Sequence, residues 1–91
     1  MLFITTYRVK PYITKEETAE LMTVFGKNGA APGELAHYVY ADGGGGVVLS
    51  ESDDFMAGYR NNLDYSAWLD LDTRVIIKVD DAVPHILDAL K

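Results

Sequence analysis

The stretch LAHYVYADGGGGVVLSE, residues 35–51, predicts a β-hairpin. Alternating apolar and aromatic residues flank Asp42-Gly43 and three further glycines, and an Asp-Gly pair suits a hairpin turn because that turn requires positive φ. We expect strands over 35–41 and 47–51. A phosphate-binding loop is the alternative for four glycines, but such a loop opens a helix and carries a Lys followed by Ser or Thr, which this stretch lacks.

The segment before the hairpin predicts one strand and one helix. Residues 2–9 are rich in β-branched and aromatic residues, which favours a strand. Thr14 followed by Glu17 forms a capping box, and an apolar stripe then recurs at helical spacing, so we expect a helix over 14–27. The sequence therefore places a strand and a helix ahead of the hairpin.

The segment after the hairpin predicts a helix, a strand and a last helix. Ser52-Asp53-Asp54 is a capping sequence for the second helix. Residues 64–71 form either its last turn or a short separate helix, and residues 73–79 form the fourth strand. Asp80 and Asp81 then cap a terminal helix, with Pro84 in its first turn.

The resulting order is β-α-β-β-α-β-α over a single domain spanning residues 1–91. Two split βαβ units with right-handed crossovers give a four-stranded antiparallel sheet with both main helices on one face. The fold class is therefore α+β, in the ferredoxin-like arrangement, with the first and third strands in the centre.

Composition excludes several classes of function. Eight Lys and Arg against 14 Asp and Glu leave a net charge of −6, which disfavours nucleic acid and anionic membrane surfaces as partners. There is no cysteine, so disulfides and thiolate chemistry are absent. The N-terminal residues lack the basic region of a signal peptide, and no apolar run could span a bilayer. We expect a cytoplasmic protein.

The side of the sheet away from the helices decides the assembly. We assign the smoother aliphatic sets to the helix side, which leaves Phe3, Thr5 and Tyr7 on the uncovered side together with Tyr, Ile, Arg and Lys residues of other strands. An exposed surface of this kind is typical of an interaction site. We expect a homodimer in which two such faces pack together as a barrel. The alternative is a monomer with a hydrated sheet face.

Several turn and cap motifs are shared with one family. They are Met1-Leu2-Phe3 with Tyr7 and Lys10-Pro11, the hairpin from Ala41 to Gly46, Glu51-Ser52-Asp53-Asp54, and Trp68-Leu69. On these motifs the chain resembles the dimeric α/β-barrel superfamily and, within it, a family of small bacterial proteins labelled only as a domain of unknown function. The resemblance implies a dimeric α/β barrel in a superfamily of cofactor-free monooxygenases, isomerases, cyclases and stress-response proteins. Relatives often carry a Trp-His pair where this chain has Val39-Tyr40, so no role of that pair is carried over.

Six residues are candidates for lining a ligand cavity at the sheet face. They are Tyr7, His37, Tyr38, Tyr40, Trp68 and Arg74. Tyrosines beside a fixed cation can orient a phenolic or carboxylate-bearing ligand, and the alternative is that they fill a dimer core. His37 is a general base if it points inward, or a structural residue if it does not; the face of the second strand that points into the cavity stays open. Trp68, together with Tyr65, forms either a pocket wall or a plug between the second helix and the sheet.

The acidic pairs along the chain do not predict a metal site. Asp53 and Asp54 precede a helix, as do Asp80 and Asp81, and no calcium-loop spacing is present. We therefore expect no metal and no cofactor. The sequence favours a homodimer that binds a small ligand without an assigned reaction. The alternative is a cofactor-independent enzyme, of monooxygenase or isomerase type, acting on a small aromatic compound.

Overall fold

A computed structural model describes residues 1–91. Four strands and three helices follow in the order β1 (Leu2–Val9), α1 (Lys15–Asn28), β2 (Glu34–Val39), β3 (Gly45–Glu51), α2 (Phe55–Tyr65), β4 (Leu69–Ile76) and α3 (Val79–Ala89). The sheet has the order β2-β3-β1-β4 and every pairing is antiparallel. The predicted α+β ferredoxin-like fold, with β1 and β3 in the centre, is confirmed.

The capping signals act as the sequence predicts. The Thr14 side chain accepts a hydrogen bond from the backbone of Glu17, whose carboxylate in turn accepts from the backbone of Thr14. Asp54 accepts from two backbone N–H groups at the start of α2. In the hairpin turn Gly43 has a φ of 76°, the region that favours glycine. These local contacts fix where α1, α2 and the hairpin begin.

Two predicted boundaries near the C-terminus are wrong. β4 begins at Leu69, so residues 69–71 are strand and not helix. Lys10 explains this boundary, because its backbone N–H donates to Trp68 O at 2.9 Å and its Nζ donates to Ser66 O at 2.7 Å. These bonds hold the turn after α2 against the end of β1, and β4 pairs with β1 from there.

The prediction for α3 is also corrected. Because β4 ends at Ile76, α3 begins at Val79, with Lys78 as an N-cap that makes no side-chain capping bond. Asp80 and Asp81 therefore lie in the first turn, where they complement the helix dipole, and do not cap the helix. Pro84 lies inside α3 instead of in its first turn.

The helices α1 and α2 cover the side of β1 that we expected to be uncovered. The rings of Phe3 and Phe55 meet edge to face at 5.6 Å, and Asn62 of α2 donates a hydrogen bond to Thr73 Oγ1 at 3.0 Å. Thr73 pairs with Thr5 in the register of the sheet. The assignment of Phe3, Thr5 and Tyr7 to the uncovered face was therefore wrong.

On the opposite face, aliphatic residues of β1 and β3 lie beside charged residues of β4. Strand alternation and the pairing of Ile4 with Leu49, and of Ile4 with Arg74, place these residues on the side away from α1 and α2. We call this side the open face. The aliphatic sets predict the helix side correctly for β2 and β4, since Val39 and Val75 lie on the covered face, and they fail only for β1. The covered face does not close into a dry core, because only Tyr65 and Leu69 are buried hydrophobic residues in the whole chain.

The last helix projects from the rest of the molecule. Every residue of α3 except Ala82 is exposed, including Val83, Ile86 and Leu87. The radius of gyration is 15.9 Å, compared with about 12 Å for a compact chain of this length. None of the three helices is long and apolar enough to cross a membrane.

Candidate ligand-binding cavity

A cavity of about 410 Å³ lies between the covered face of the sheet and the two helices above it. Leu21, Met22 and Phe25 of α1 line one wall, and Thr5 and Leu71 of the sheet line another. Half of the remaining lining residues are also hydrophobic. The space has the size and character of a site for a small organic molecule, for which volumes of about 300–1,000 Å³ are usual.

The strongest polar contact in this cavity joins two strands that are not neighbours. Tyr7 Oη of β1 and His37 Nε2 of β2 are 2.6 Å apart, and both residues line the cavity. Their rings meet edge to face at 5.7 Å, and the ring of Phe25 approaches His37 from α1 at 6.2 Å. The imidazole is therefore held by rings from the sheet and from a helix.

Glycine in β3 makes the contact across the central strand possible. Gly46 lies between the two residues, because it pairs with Tyr7 on one side and with Val39 of β2 on the other. A Cβ at position 46 would lie 2.6 Å from Cζ of Tyr7 and would also meet the carbonyl oxygen of Tyr38. Because Gly46 has no side chain, the Tyr7 phenol occupies the space beside it and reaches His37.

A β-bulge brings a carboxylate to the same wall. In a regular strand Glu34 and His37, three residues apart, face opposite sides. The register shift between Glu34 and Ala36 inserts one extra residue, so that Glu34 pairs with Ser50 and His37 with Val48 on one face. Glu34 Oε1 lies 3.8 Å from His37 Nδ1.

The surroundings of Tyr7 and Tyr65 favour the uncharged form of both phenol side chains. Burial raises the pKa of Tyr7, and the nearby Tyr40 and Glu34 raise it further because each disfavours a second negative charge. Burial also raises the pKa of Tyr65, and Asp64 adds to this while a hydrogen bond with Asn28 opposes it. Both phenols keep their protons at neutral pH and act as neutral hydrogen-bonding groups.

A small polar cluster lies on the same face of the sheet. Thr5 Oγ1 and Thr73 Oγ1 are 2.8 Å apart, and Thr73 Oγ1 also accepts from Asn62 of α2. This cluster ties β1, β4 and α2 together. It gives the covered face a second point, besides Tyr7 and His37, at which a ligand with a polar group meets hydrogen-bonding side chains.

The six candidate residues divide between different parts of the molecule. Tyr7, His37 and Tyr40 line the cavity. Tyr38 lies on the open face, where it is 64% exposed. Arg74 lies on the open face too, paired with Asp72 at 3.2 Å. Trp68 precedes β4 in the chain and is not among the residues that line the cavity.

Two residues that shape the cavity escaped the sequence analysis. Glu34 reaches the wall through the bulge, and Gly46 lies beside Tyr7 through the sheet register. Tyr65, considered together with Trp68 as a pocket wall, lines the cavity. Gly46 left a signal, since Gly45 and Gly46 lie within β3 and not in the turn, and glycine in a strand often marks a close approach. No group of three or more His, Cys, Asp or Glu residues lies together in a way that could hold a metal ion.

The family of the chain follows from its full-length match. A model of a domain of unknown function, DUF3303, matches residues 1–90. The chain belongs to this family. The resemblance drawn from the turn and cap motifs is thereby confirmed for the family. No curated protein is similar to the chain at a significant level.

Proposed function

We propose that this DUF3303 protein is a homodimer that binds a small, largely apolar molecule in the cavity between its sheet and helices. The observation that carries the proposal is the Tyr7–His37 hydrogen bond on the wall of a largely hydrophobic space of about 410 Å³. A few converging polar groups in a hydrophobic pocket are typical of ligand sites, because the apolar lining supplies affinity and the polar groups fix orientation.

The incomplete packing of α1 on the sheet is a further argument that a ligand binds in this space. Met22 and Phe25 face the cavity from α1 and are nevertheless 57% and 40% exposed. Apolar side chains in that state gain about 25 cal/mol for each Å² that a bound molecule removes from water. A ligand would therefore complete the packing between α1 and the sheet.

The homodimer is supported by two surfaces that present aliphatic residues without a covering element. The open face presents Ile4, Val47 and Leu49, which are aliphatic and have no helix above them. The helix α3 has eleven residues, and helices shorter than about 12–15 residues are marginal in water unless they are packed. A second copy of the chain placed against the open face would bury the aliphatic residues of that face and of α3. A two-fold axis makes such a contact self-complementary.

A dye-binding experiment tests the cavity. N-phenyl-1-naphthylamine is apolar and fluoresces when it leaves water, so we expect it to bind the wild-type protein with micromolar affinity. Met22→Trp places a larger side chain in the cavity wall and should weaken binding at least about tenfold. Glu20→Trp, on the exposed side of α1, adds the same ring outside the cavity and should leave binding unchanged. Absence of dye binding, or equal losses in both variants, would contradict the proposal.

A second candidate function is cofactor-independent catalysis on a small aromatic compound. The observation that favours it is the line Glu34–His37–Tyr7. In the tautomer whose Nδ1–H faces Glu34, His37 Nε2 accepts the Tyr7 proton while Tyr7 Oη takes a proton from the ligand. For an aromatic ketone, the C–H bond beside the carbonyl breaks, its electron pair forms the enolate, and the returning solvent proton restores the C–H bond.

Isotope exchange separates catalysis from binding alone. With propiophenone in D₂O, the enzyme candidate predicts protein-dependent deuterium incorporation at the carbon beside the carbonyl, measured by NMR. His37→Gln removes the acceptor and should abolish the exchange while leaving dye binding intact. If the wild-type protein gives no exchange above the buffer rate, the catalytic candidate is wrong and the binding proposal stands.

A further inference from the structure

The charges on the cavity wall limit the ligand that it can accept. Glu34 is the only Asp or Glu in the lining, and neither Lys nor Arg is present there. The net charge of the chain, −6, has the same sign. An anionic ligand would meet a carboxylate with no cation to compensate it, and moving such a ligand out of water is costly when its charge stays unpaired.

The Glu34 carboxylate has unused hydrogen-bonding capacity. Its side chain is only 23% exposed, and no Lys or Arg forms an ion pair with it. Ala31 N donates to Oε1 at a long 3.4 Å, and His37 Nδ1 lies 3.8 Å away. A carboxylate offers about four acceptor positions, so most of them are free for a donor that enters the cavity.

Three aromatic rings lie in the same part of the cavity as the Glu34 carboxylate. The rings of Tyr7 and Phe25 each meet His37 edge to face, at 5.7 and 6.2 Å, and Tyr40 also lines the cavity. The face of an aromatic ring attracts a cation, most strongly where water is excluded. A carboxylate among aromatic rings is a chemical combination that recognises an ammonium group.

We infer that the cavity selects apolar molecules that carry an ammonium group, with Glu34 as the counter-ion and the Tyr7, Phe25 and Tyr40 rings around the cation. The inference rests on the proposed binding function and adds its ligand class. It also replaces the phenolic or carboxylate ligand expected from the sequence, since Arg74, the cation in that expectation, lies on the open face. His37 is the side chain on the wall that competes for Glu34, since its Nδ1 lies 3.8 Å from Oε1.

A series of three probes with one ring system tests the charge preference. The probes are 2-naphthylmethylamine, 2-naphthylmethanol and 2-naphthoate, which are cationic, neutral and anionic at pH 7. Their affinities for the wild-type protein are measured by calorimetry. We expect the amine to bind at least about tenfold more tightly than the alcohol, the difference that a charge-assisted hydrogen bond supplies, and the carboxylate to bind more weakly than the alcohol.

Two matched variants assign the preference to one carboxylate. Glu34→Gln should reduce amine affinity to that of the alcohol while the alcohol binds as before. Glu20→Gln removes one charge from the exposed side of α1 and should change neither affinity, which separates a local contact from the general field of the protein. His37→Gln removes the imidazole whose Nδ1 lies near Glu34 and should keep or increase the preference for the amine.

The outcomes distinguish the inference from the proposal on which it rests. If none of the three probes binds, the proposed binding function fails and the inference fails with it. If the alcohol or the naphthoate binds as tightly as the amine, binding stands and the ligand class is wrong. Equal loss of amine affinity in Glu34→Gln and Glu20→Gln also overturns the inference. If Glu34→Gln does not fold, the wild-type ranking of the three probes still decides.

Discussion

The covered face of the sheet holds a cavity with two hydrogen-bonding rings, Tyr7 and His37, whereas the open face is divided between an aliphatic part and a charged part. Ile4 and Leu49 belong to the aliphatic part, and Arg74 belongs to the charged part. In most two-layer α/β domains the face under the helices is apolar and the polar face meets water. This molecule departs from that pattern on both sides, because the helices leave a cavity with polar groups and the open face keeps aliphatic residues that no helix covers.

The largest effect should come from filling the gap in β3. Gly46→Val places a side chain where the Tyr7 phenol lies, so we expect the free energy of unfolding to fall by about 2–3 kcal/mol, as for other overpacked sites. Gly58→Ala is the matched control, because a Cβ there meets nothing within 4 Å in α2. It should stabilise by roughly 0.5–1 kcal/mol. Urea unfolding measures both, and equal shifts would contradict the role of Gly46.

The open face is tested by its effect on assembly. We expect wild-type protein to have twice the 10.1 kDa mass of the chain in light scattering. Leu49→Lys puts a charge in the aliphatic surface and should weaken dimerisation on the order of a hundredfold, since an unpaired charge in an interface is strongly unfavourable. Glu20→Lys, a charge change on α1, should remain dimeric. A monomeric wild-type protein would end the homodimer proposal.

The Tyr7–His37 pair on the covered face is tested by a double-mutant cycle. Tyr7→Phe and His37→Phe each remove one partner of the 2.6 Å hydrogen bond, and each should lower the free energy of unfolding by about 1 kcal/mol. Since they remove the same bond, the double variant should lose about 1 kcal/mol less than the sum of the single losses. Strictly additive losses would show that the two side chains do not interact in solution.

The smallest expected effect is on alkaline stability. The raised pKa of Tyr7 means that the folded state holds the phenol proton at pH values where the unfolded chain releases it. This contribution is fully present below about pH 10, the unfolded pKa, and is lost as the pH rises above it. Tyr7→Phe should therefore flatten the decline in unfolding free energy above pH 10. Tyr12→Phe, which removes a 98% exposed phenol, should leave the decline unchanged.

The fold was predictable because its signals are local. Thr14 with Glu17, Asp54, and Asp42 with Gly43 each act within a few residues, and each is found where expected. The start of β4 was not predictable in this way, because the bonds that set it come from Lys10, more than 50 residues earlier. No periodicity within residues 64–71 contains that information.

The site was predictable only in its residue types. Tyr7 and His37 were candidates, but their contact depends on sheet order, on the register of β3 and on a glycine between them. The two faces of β1 are almost equally bulky, so side-chain size could not decide which one the helices cover. Glu34 needed the bulge to reach the cavity at all.

The bulge in β2 gives one extra residue control over the chemistry of the cavity. Glu34 and His37 share a wall because Leu35 and Ala36 together occupy the span that one residue fills in a regular ladder. If the same residues paired without the bulge, the even alternation of the strand would turn Glu34 toward the open face while His37 stays in place. The cavity would then lose its one carboxylate without the replacement of any residue, so its acidic character depends on a one-residue irregularity in an edge strand.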